Sequence, residues 1–196
     1  LAEESECDTE GLSKIVENAK AIAETSETAR ELAALIERSE SPSKQDVATI
    51  AELVVDEARD RFPDTTFVLD APDGCVAYAS SELQRAVTEL VENAAEHNGS
   101  EDPQVRLTVE QDETIRLVVE DNGQGIPENE LVPLREDEET ALKHGSSVDL
   151  WLVDLIVDQS SGSIHFDSDE SGTRIELELP REEVDRSDLS PFDGNG

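Results

Sequence analysis

Apolar residues recur at helical spacing through the first part of the chain. Small and apolar side chains return after three or four positions at Leu12, Ile15, Ala19, Ile22, Ser26, Ala29, Ala33 and Ile36. This stripe predicts one long helix over residues 12–37, ended by residues 39–43. Because the stripe is narrow and only partly apolar, we favour a bundle helix with a partner over a helix that packs on its own domain.

The rest of the chain alternates between helical and strand periodicities. Helices are predicted at residues 46–61, 80–97 and 149–159, and strands at residues 65–69, 75–79, 105–109, 115–119, 164–166 and 173–179. Ser80 or Ser81 is the expected cap of the second of these helices. Polar, weakly patterned residues 127–146 indicate a long loop. This order of helices and strands predicts an α+β fold. The expected architecture is a two-layer sandwich with a mostly antiparallel sheet and helices on one face, preceded by the bundle helix.

The chain is strongly acidic along its whole length. Asp and Glu number 49 against 15 Lys and Arg, which gives a net charge of −34 in 196 residues. This charge excludes binding to a nucleic-acid backbone or to an anionic membrane surface. Periodic apolar positions argue against disorder, and multimolar salt, with a Debye length of about 3 Å or less, would screen the self-repulsion. We therefore predict a salt-accumulating cytoplasm, such as that of a haloarchaeon.

Other classes are excluded by what the sequence lacks. Cys7 and Cys75 stand far apart with no Cys/His cluster, so neither a disulfide framework nor a zinc site is indicated. No apolar run approaches the ~18–20 residues of a membrane span. The chain contains no Met, even at position 1, which suggests a fragment of a longer product.

A first candidate site lies on the helix predicted over residues 80–97. Glu89 and Asn93 are four positions apart and therefore share one helix face. The Asn carboxamide oxygen suits Mg²⁺, which takes few protein ligands together with substrate phosphates. A carboxylate one turn earlier could deprotonate a nucleophile. The alternative is an ordinary polar helix face.

Two further segments are rich in glycine or small residues. Asp121, Gly123 and Gly125 directly follow a predicted strand, where glycine lets the backbone approach a ligand and Asp could accept from an exocyclic amine. The alternative is a plain Asp-Asn-Gly turn. Residues 144–150 lead into the last helix, and such a loop can present free N–H groups to phosphates. The alternative there is a simple N-cap by Asp149.

In this order and spacing, the three segments resemble a known family. Residues 80–180 resemble the ATP-binding domain shared by sensor histidine kinases, DNA gyrase B, heat-shock chaperones and MutL repair proteins, and are most similar to haloarchaeal sensor histidine kinases. Residues 89–93 match the Asn-containing box, residues 121–125 the Asp-x-Gly-x-Gly box and residues 145–150 the second glycine box. Residues 12–37 resemble the second helix of the dimerisation and histidine-phosphotransfer hairpin.

The resemblance implies a role for each matching residue. Asn93 would hold the Mg²⁺ that bridges the ATP phosphates, and Glu89 would assist proton removal from the accepting histidine. Asp121 would bind the adenine amino group, in a pocket shaped by Gly123 and Gly125. Residues 127–146 would cover the nucleotide as a lid. ATP and Mg²⁺ are thus the implied substrate and cofactor.

The sequence also departs from the family's pattern. Glu96 stands where many members have a phosphate-binding Lys, and His97 either does part of that work or simply packs. Ser147 and Asp149 replace later glycines of the second box. A carboxylate there would repel phosphate or act as an internal phosphate mimic.

Other residues near the second glycine box could compensate for these departures. The nearby cations are Lys143 and His144, and the remaining backbone of the phosphate loop comes from Gly145 and Ser146.

The family's phosphoacceptor histidine is not in this chain. His97, His144 and His165 all fall within the ATP-domain pattern, whereas the acceptor belongs to a helix expected before Leu1. The resemblance implies a hairpin helix at residues 1–43, an ATP-binding catalytic domain at residues 44–181 and a disordered acidic tail at residues 182–196. It also implies a cytoplasmic histidine kinase that forms a homodimer through the N-terminal helix and serves a response regulator.

Two other functions remain open. A kinase that phosphorylates Ser on a partner, as anti-sigma kinases do, would have the same fold but no helical hairpin, so residues 12–37 count against it. A degenerate scaffold that signals by dimerisation or partner binding is favoured by Glu96, Ser147 and Asp149, and opposed by Asn93 and Asp121.

Overall fold

The computed structural model describes residues 41–126 and 148–182. The helix predicted at residues 12–37, the loop at residues 127–146 and all but the first residue of the tail at residues 182–196 lie outside these ranges. Within them, three helices and seven strands form an α+β sandwich with a mixed sheet. The predicted fold class is confirmed for this part of the chain.

The three helices occur where the sequence predicts them, at α1 (Val47–Arg61), α2 (Leu83–Glu96) and α3 (Val148–Gln159). Asp46 caps α1, because its carboxylate accepts a hydrogen bond from the Thr49 N–H at 3.1 Å. The prediction of a serine cap on α2 is wrong in its position, since Glu82 is the N-cap residue. The Ser80 hydroxyl instead accepts from the Glu82 N–H just outside the helix.

Five of the seven strands form one sheet in the order β2-β4-β5-β7-β6. The strands are β1 (Ser43–Asp46), β2 (Thr66–Asp70), β3 (Val76–Ala79), β4 (Gln104–Gln111), β5 (Ile115–Asp121), β6 (Ser163–Asp169) and β7 (Gly172–Leu179). The β2–β4 pair is parallel and the other pairs are antiparallel, so the sheet is mixed. Parallel pairing follows from the long connection through β3 and α2, which returns the chain in the same direction.

The first strand is an element that the sequence pattern did not predict. Ser43 begins β1, which pairs antiparallel with β3 and places Lys44 opposite Tyr78. Four mostly exposed, polar residues carry no alternating pattern, so only pairing with a distant segment fixes them as a strand. A hydrogen bond from the Tyr78 N–H to the Pro180 carbonyl joins this small sheet to the end of β7.

The large sheet has one apolar face and one charged face. Inward residues of β4, β5 and β7 are buried, among them Leu107, Leu117, Val119, Ile175 and Leu177, and they meet the buried sides of the helices. The opposite face carries ion pairs across strands, such as Arg174 with Glu120 at 3.2 Å and Arg116 with Glu110 at 2.7 Å. Helices therefore cover one face, and α2 lies against β4 and β5. No described helix has the length and apolar character needed to cross a membrane.

Candidate nucleotide-binding site

Helix α2 brings Glu89 and Asn93 to one half-buried face. Its apolar side, which includes Leu90, Val91 and Ala94, is buried against the rest of the fold. Glu89 and Asn93 lie beside this buried side and are partly exposed. Asn93 is in the last turn, where its carbonyl accepts from the His97 N–H at 3.1 Å. Its carboxamide makes no hydrogen bond with another described residue, so the amide oxygen is open to a ligand.

Asn98 fastens the end of α2 to the loop that follows β5. This side chain is only 2% exposed, and its amide nitrogen lies 3.2 Å from Asn122 Oδ1 and 3.4 Å from the Gln104 carbonyl oxygen. Its own carbonyl accepts from the Gln124 N–H at 3.2 Å. The structure therefore places the α2 turn that carries Asn93 next to the loop that carries Gly123 and Gly125. No pattern in the sequence indicates this role of Asn98.

Asp121 is the last residue of β5, and its carboxylate lies on the helix-covered side of the sheet. It accepts hydrogen bonds from the Gly123 N–H at 2.7 Å and from the hydroxyl and N–H of Thr173. Burial raises the pKa of the Asp121 carboxyl above its usual range, because desolvation disfavours the ionised form. The hydrogen bonds from Gly123 and Thr173 oppose this shift but do not cancel it. A half-buried carboxylate with a raised pKa, held by several hydrogen-bond donors, is typical of a functional site.

Glycine is required at positions 123 and 125 of the loop that follows Asp121. A Cβ on Gly123 would lie 2.4 Å from the Asn98 carbonyl oxygen. Gly125 has a φ of +73°, and a Cβ there would lie 2.1 Å from the Asp169 carbonyl oxygen. The loop is thus pressed against the end of α2 on one side and the β6–β7 turn on the other. This close packing of the backbone favours the interpretation of the segment as a ligand-binding loop over the alternative of a plain Asp-Asn-Gly turn.

Thr173 and Ser168 belong to the site and were missed in the sequence. They face each other across β7 and β6, and their hydroxyl oxygens are 3.2 Å apart. A signal for them exists: the inward columns of β5, β7 and β6 run apolar and then end in Asp121, Thr173 and Ser168. Only the register of the sheet shows that these three ends are neighbours.

The charged residues at the end of α2 are exposed. Glu96 and His97 both face solvent, so His97 does not pack in the core, which corrects one of its two predicted roles. Both lie within one turn of Asn93. A carboxylate rather than an ammonium therefore stands near the place where phosphates are expected.

The predicted phosphate-loop residues Lys143, His144, Gly145, Ser146 and Ser147 lie outside the described residues. Asp149 is the second residue of α3, so the prediction that it is the N-cap of this helix is wrong. Its side chain is not described.

Asn93 has the chemistry of a magnesium ligand. Residues 41–126 and 148–182 hold no group of three or more His, Cys, Asp or Glu side chains that could bind a metal ion by themselves. A half-buried amide oxygen without a described partner fits Mg²⁺, which keeps several waters and takes its other ligands from phosphates.

The family model that matches this chain covers the whole of the described site. Residues 79–183 match the family described as Histidine kinase-, DNA gyrase B-, and HSP90-like ATPase. The chain therefore belongs to this ATPase family. Asn93, Asp121, Gly123, Gly125 and Thr173 all fall inside the matched range.

Within this family, the chain is similar in sequence to a curated kinase. The chain is 28% identical over 102 residues to Sporulation kinase A of Bacillus subtilis, which corresponds to 52% of this chain and 17% of that protein. The chain thus spans about a sixth of the length of this curated relative.

Solved structures agree on the fold. The structure is similar to a mycobacterial sensor histidine kinase, MprB, with a TM-score of 0.59 and 24% identity over 72% of this chain and 100% of that chain. The Acinetobacter baumannii histidine kinase AdeS gives a TM-score of 0.64 and 16% identity, with coverage of 87% of this chain and 84% of that chain. The ATP-binding domain of PrrB from Mycobacterium tuberculosis gives a TM-score of 0.58 and 23% identity, with coverage of 73% of this chain and 99% of that chain. The fold is that of histidine kinase catalytic domains.

Proposed function

We propose that this chain is the ATP-binding catalytic part of a sensor histidine kinase and transfers the γ-phosphoryl group of ATP to a histidine on another segment or subunit. The observation that carries this proposal is the half-buried Asp121 carboxylate, which is held by Gly123 and Thr173 in the loop that Asn98 joins to the end of the helix carrying Asn93. The family match covers all five residues.

Adenine recognition is assigned to Asp121. An ionised carboxylate offers about four lone-pair sites, and three donors from the protein already occupy part of them. The remaining acceptor capacity can take the adenine amino group, which guanine lacks at that position. Because Gly123 and Gly125 carry no side chain, the base can lie close to the loop backbone.

Phosphate binding is assigned to the α2 face and to the segment before α3. Asn93 would hold Mg²⁺, which when bound would offset the charge of the phosphates. We propose Lys143, His144, Gly145, Ser146 and Ser147 as further phosphate contacts, with His97 at the end of α2 and residues 127–146 as a cover over the nucleotide.

In the transfer step, an imidazole nitrogen of the acceptor histidine attacks the γ-phosphorus of ATP. A P–N bond forms, the bond from the γ-phosphorus to the β–γ bridging oxygen breaks, and ADP leaves with the electron pair. The imidazole proton passes to the carboxylate of Glu89, which lies on the same helix face as Asn93. The protein contributes mainly position and electrostatics.

The wider assignment follows the same reasoning. We propose that residues 1–43 supply a hairpin helix for a homodimer, that residues 44–181 form the catalytic domain and that residues 182–196 are a tail. A response regulator would receive the phosphoryl group. The charge of −34 supports a cytoplasm with molar salt, as in haloarchaea, and opposes a nucleic-acid or membrane partner.

Calorimetry with Mg²⁺-ATP in molar KCl tests the proposal. Wild-type protein should bind ATP, and Asn93→Ala should abolish or strongly weaken binding because it removes the Mg²⁺ ligand. Gln84→Ala is the matched control, since Gln84 is exposed near the start of the same helix, and it should bind like wild type.

Absence of binding by folded wild-type protein in molar KCl would contradict the proposal and favour the non-catalytic scaffold. Equal binding by wild type and Asn93→Ala would contradict the role of Asn93 alone.

A further inference from the structure

A row of polar side chains closes the helix-covered face at one end of the sheet. Thr173 of β7 lies beside Asp121 of β5 and directly opposite Ser168 of β6. The rows further into the sheet are apolar, for example Val119, Ile175 and Phe166. The polar row joins the candidate adenine-binding residue to an edge strand.

Hydrogen bonds and close polar contacts link the side chains of this row. Thr173 interacts with the Asp121 carboxylate through its hydroxyl and its N–H. The Ser168 hydroxyl lies 3.2 Å from Thr173 Oγ1, where either hydroxyl can be the donor, and it can also donate to the Gly172 carbonyl oxygen at 3.3 Å. The Ser168 oxygen in turn accepts from the Ile126 N–H at 2.7 Å. Two hydroxyl groups thus connect the Ile126 amide to the Asp121 carboxylate.

The same serine fixes the loop backbone. Ile126 follows Gly125, whose α-carbon is pressed against the Asp169 carbonyl next to Ser168 in the chain. Ser168 thus contacts the site twice: through the Ile126 N–H, which holds the loop, and through Thr173, which holds Asp121. Nothing else among the described residues joins the loop and the carboxylate through a side chain of β6.

We propose that Ser168 is a positioning residue for nucleotide binding, which aligns Asp121 and the Gly125–Ile126 backbone for adenine through its hydroxyl group. The inference rests on the proposed function. Ser168 has no contact with the nucleotide in this proposal. It acts through Thr173 and Ile126, so its loss should weaken recognition of the base more than the fold.

Three variants separate the hydroxyl from the rest of the side chain. Ser168→Ala removes the hydroxyl, Ser168→Thr keeps it, and Ser171→Ala removes a hydroxyl that bonds only to Asp169 in the same turn. Calorimetry in molar KCl with Mg²⁺-ATP and Mg²⁺-GTP gives the ratio of the two dissociation constants. The hydrogen-exchange rate of the Ile126 amide, measured in the absence of ligand, reports how firmly the loop is held.

We expect Ser168→Ala to bind ATP about tenfold more weakly with GTP affinity unchanged, and to exchange the Ile126 amide at least tenfold faster. Ser168→Thr and Ser171→Ala should both behave like wild type. Unchanged selectivity for ATP in Ser168→Ala would overturn the inference, as would equal losses in Ser168→Ala and Ser168→Thr. If Ser168→Ala does not fold, loss of selectivity in Ser168→Thr still overturns it. Wild-type protein that binds no ATP would overturn the proposed function, and this inference with it, even if the Ile126 amide responds as expected.

Discussion

Two glycines share a left-handed backbone conformation but differ in their surroundings. Gly125 has a φ of +73° and Gly74 a φ of +78°. A Cβ on Gly125 would lie 2.1 Å from the Asp169 carbonyl oxygen, whereas a Cβ on Gly74 would meet no atom within 4 Å. Alanine therefore meets the same backbone penalty at both positions, but a steric conflict only at Gly125. The two substitutions separate the conformation of the loop from its close packing.

The structure sets the size of each effect. The left-handed conformation costs an L-residue about 1–2 kcal/mol, and the smaller chain entropy of unfolded alanine offsets about 0.5–1 kcal/mol. Gly74→Ala should therefore lower the free energy of unfolding by about 0.5–1 kcal/mol. At Gly125 the loop or the β6–β7 turn must also move, at an overpacking cost of about 1–3 kcal/mol. Gly125→Ala should lose about 1.5–4 kcal/mol in total.

Urea unfolding in about 2 M KCl, followed by circular dichroism, measures both free energies at constant screening. Gly125→Ala should also lose ATP affinity, because the loop it displaces borders Asp121, while Gly74→Ala should retain it. Equal destabilisation by the two alanines would refute the close approach of the loop and the turn. Normal ATP affinity in Gly125→Ala would refute the loop's place in the site.

Three further predictions concern the same fold. Asn98→Ala should lower the free energy of unfolding by about 1–3 kcal/mol in urea titrations, since it removes a buried amide that joins α2 to the β5 loop. Because burial raises the pKa of Asp121 above 3.8, wild-type protein loses stability as the pH rises from that value through the folded-state pKa. Asp121→Asn has no carboxyl group at this position and removes this loss. Thermal melts should therefore show the midpoint of the variant rising relative to that of wild type as the pH increases between the two pKa values. A difference in midpoint that does not change with pH would contradict this prediction. With a net charge of −34, the thermal midpoint should rise steadily from about 0.2 to 3 M KCl, and a flat profile would contradict the halophilic assignment.

Elements with strong periodicity could be predicted from the sequence. The 3.6-residue pattern of α2 and the alternation of β4 and β5 arise from burial of one face, and burial of one face is what such patterns report. β1 could not be found in this way, because its four residues are mostly exposed and depend on β3 for pairing. Parallel pairing of β2 with β4 is equally a property of the connection, and no pattern within either strand shows it.

The site divides along the same line. Asp121, Gly123 and Gly125 are adjacent in sequence and form a recognisable motif, and Asn93 matches another. Thr173 and Ser168 meet Asp121 only through the register of three strands, so the polar ends of their apolar columns point to a site only once that register is known. Asn98 directly follows the predicted helix, but its hydrogen bonds to residues 104, 122 and 124 depend on how α2 lies on the sheet.

The central claim is that a nucleotide binds where α2, the β5 loop and the start of β7 meet. Amide chemical shifts of the wild-type protein, recorded in molar KCl with and without Mg²⁺-ATP, test it most directly. We predict that the largest changes occur at Gly123, Gly125, Ile126 and Thr173, with little change at the β1–β3 sheet. Binding that shifts other amides and leaves these four unchanged would contradict the account.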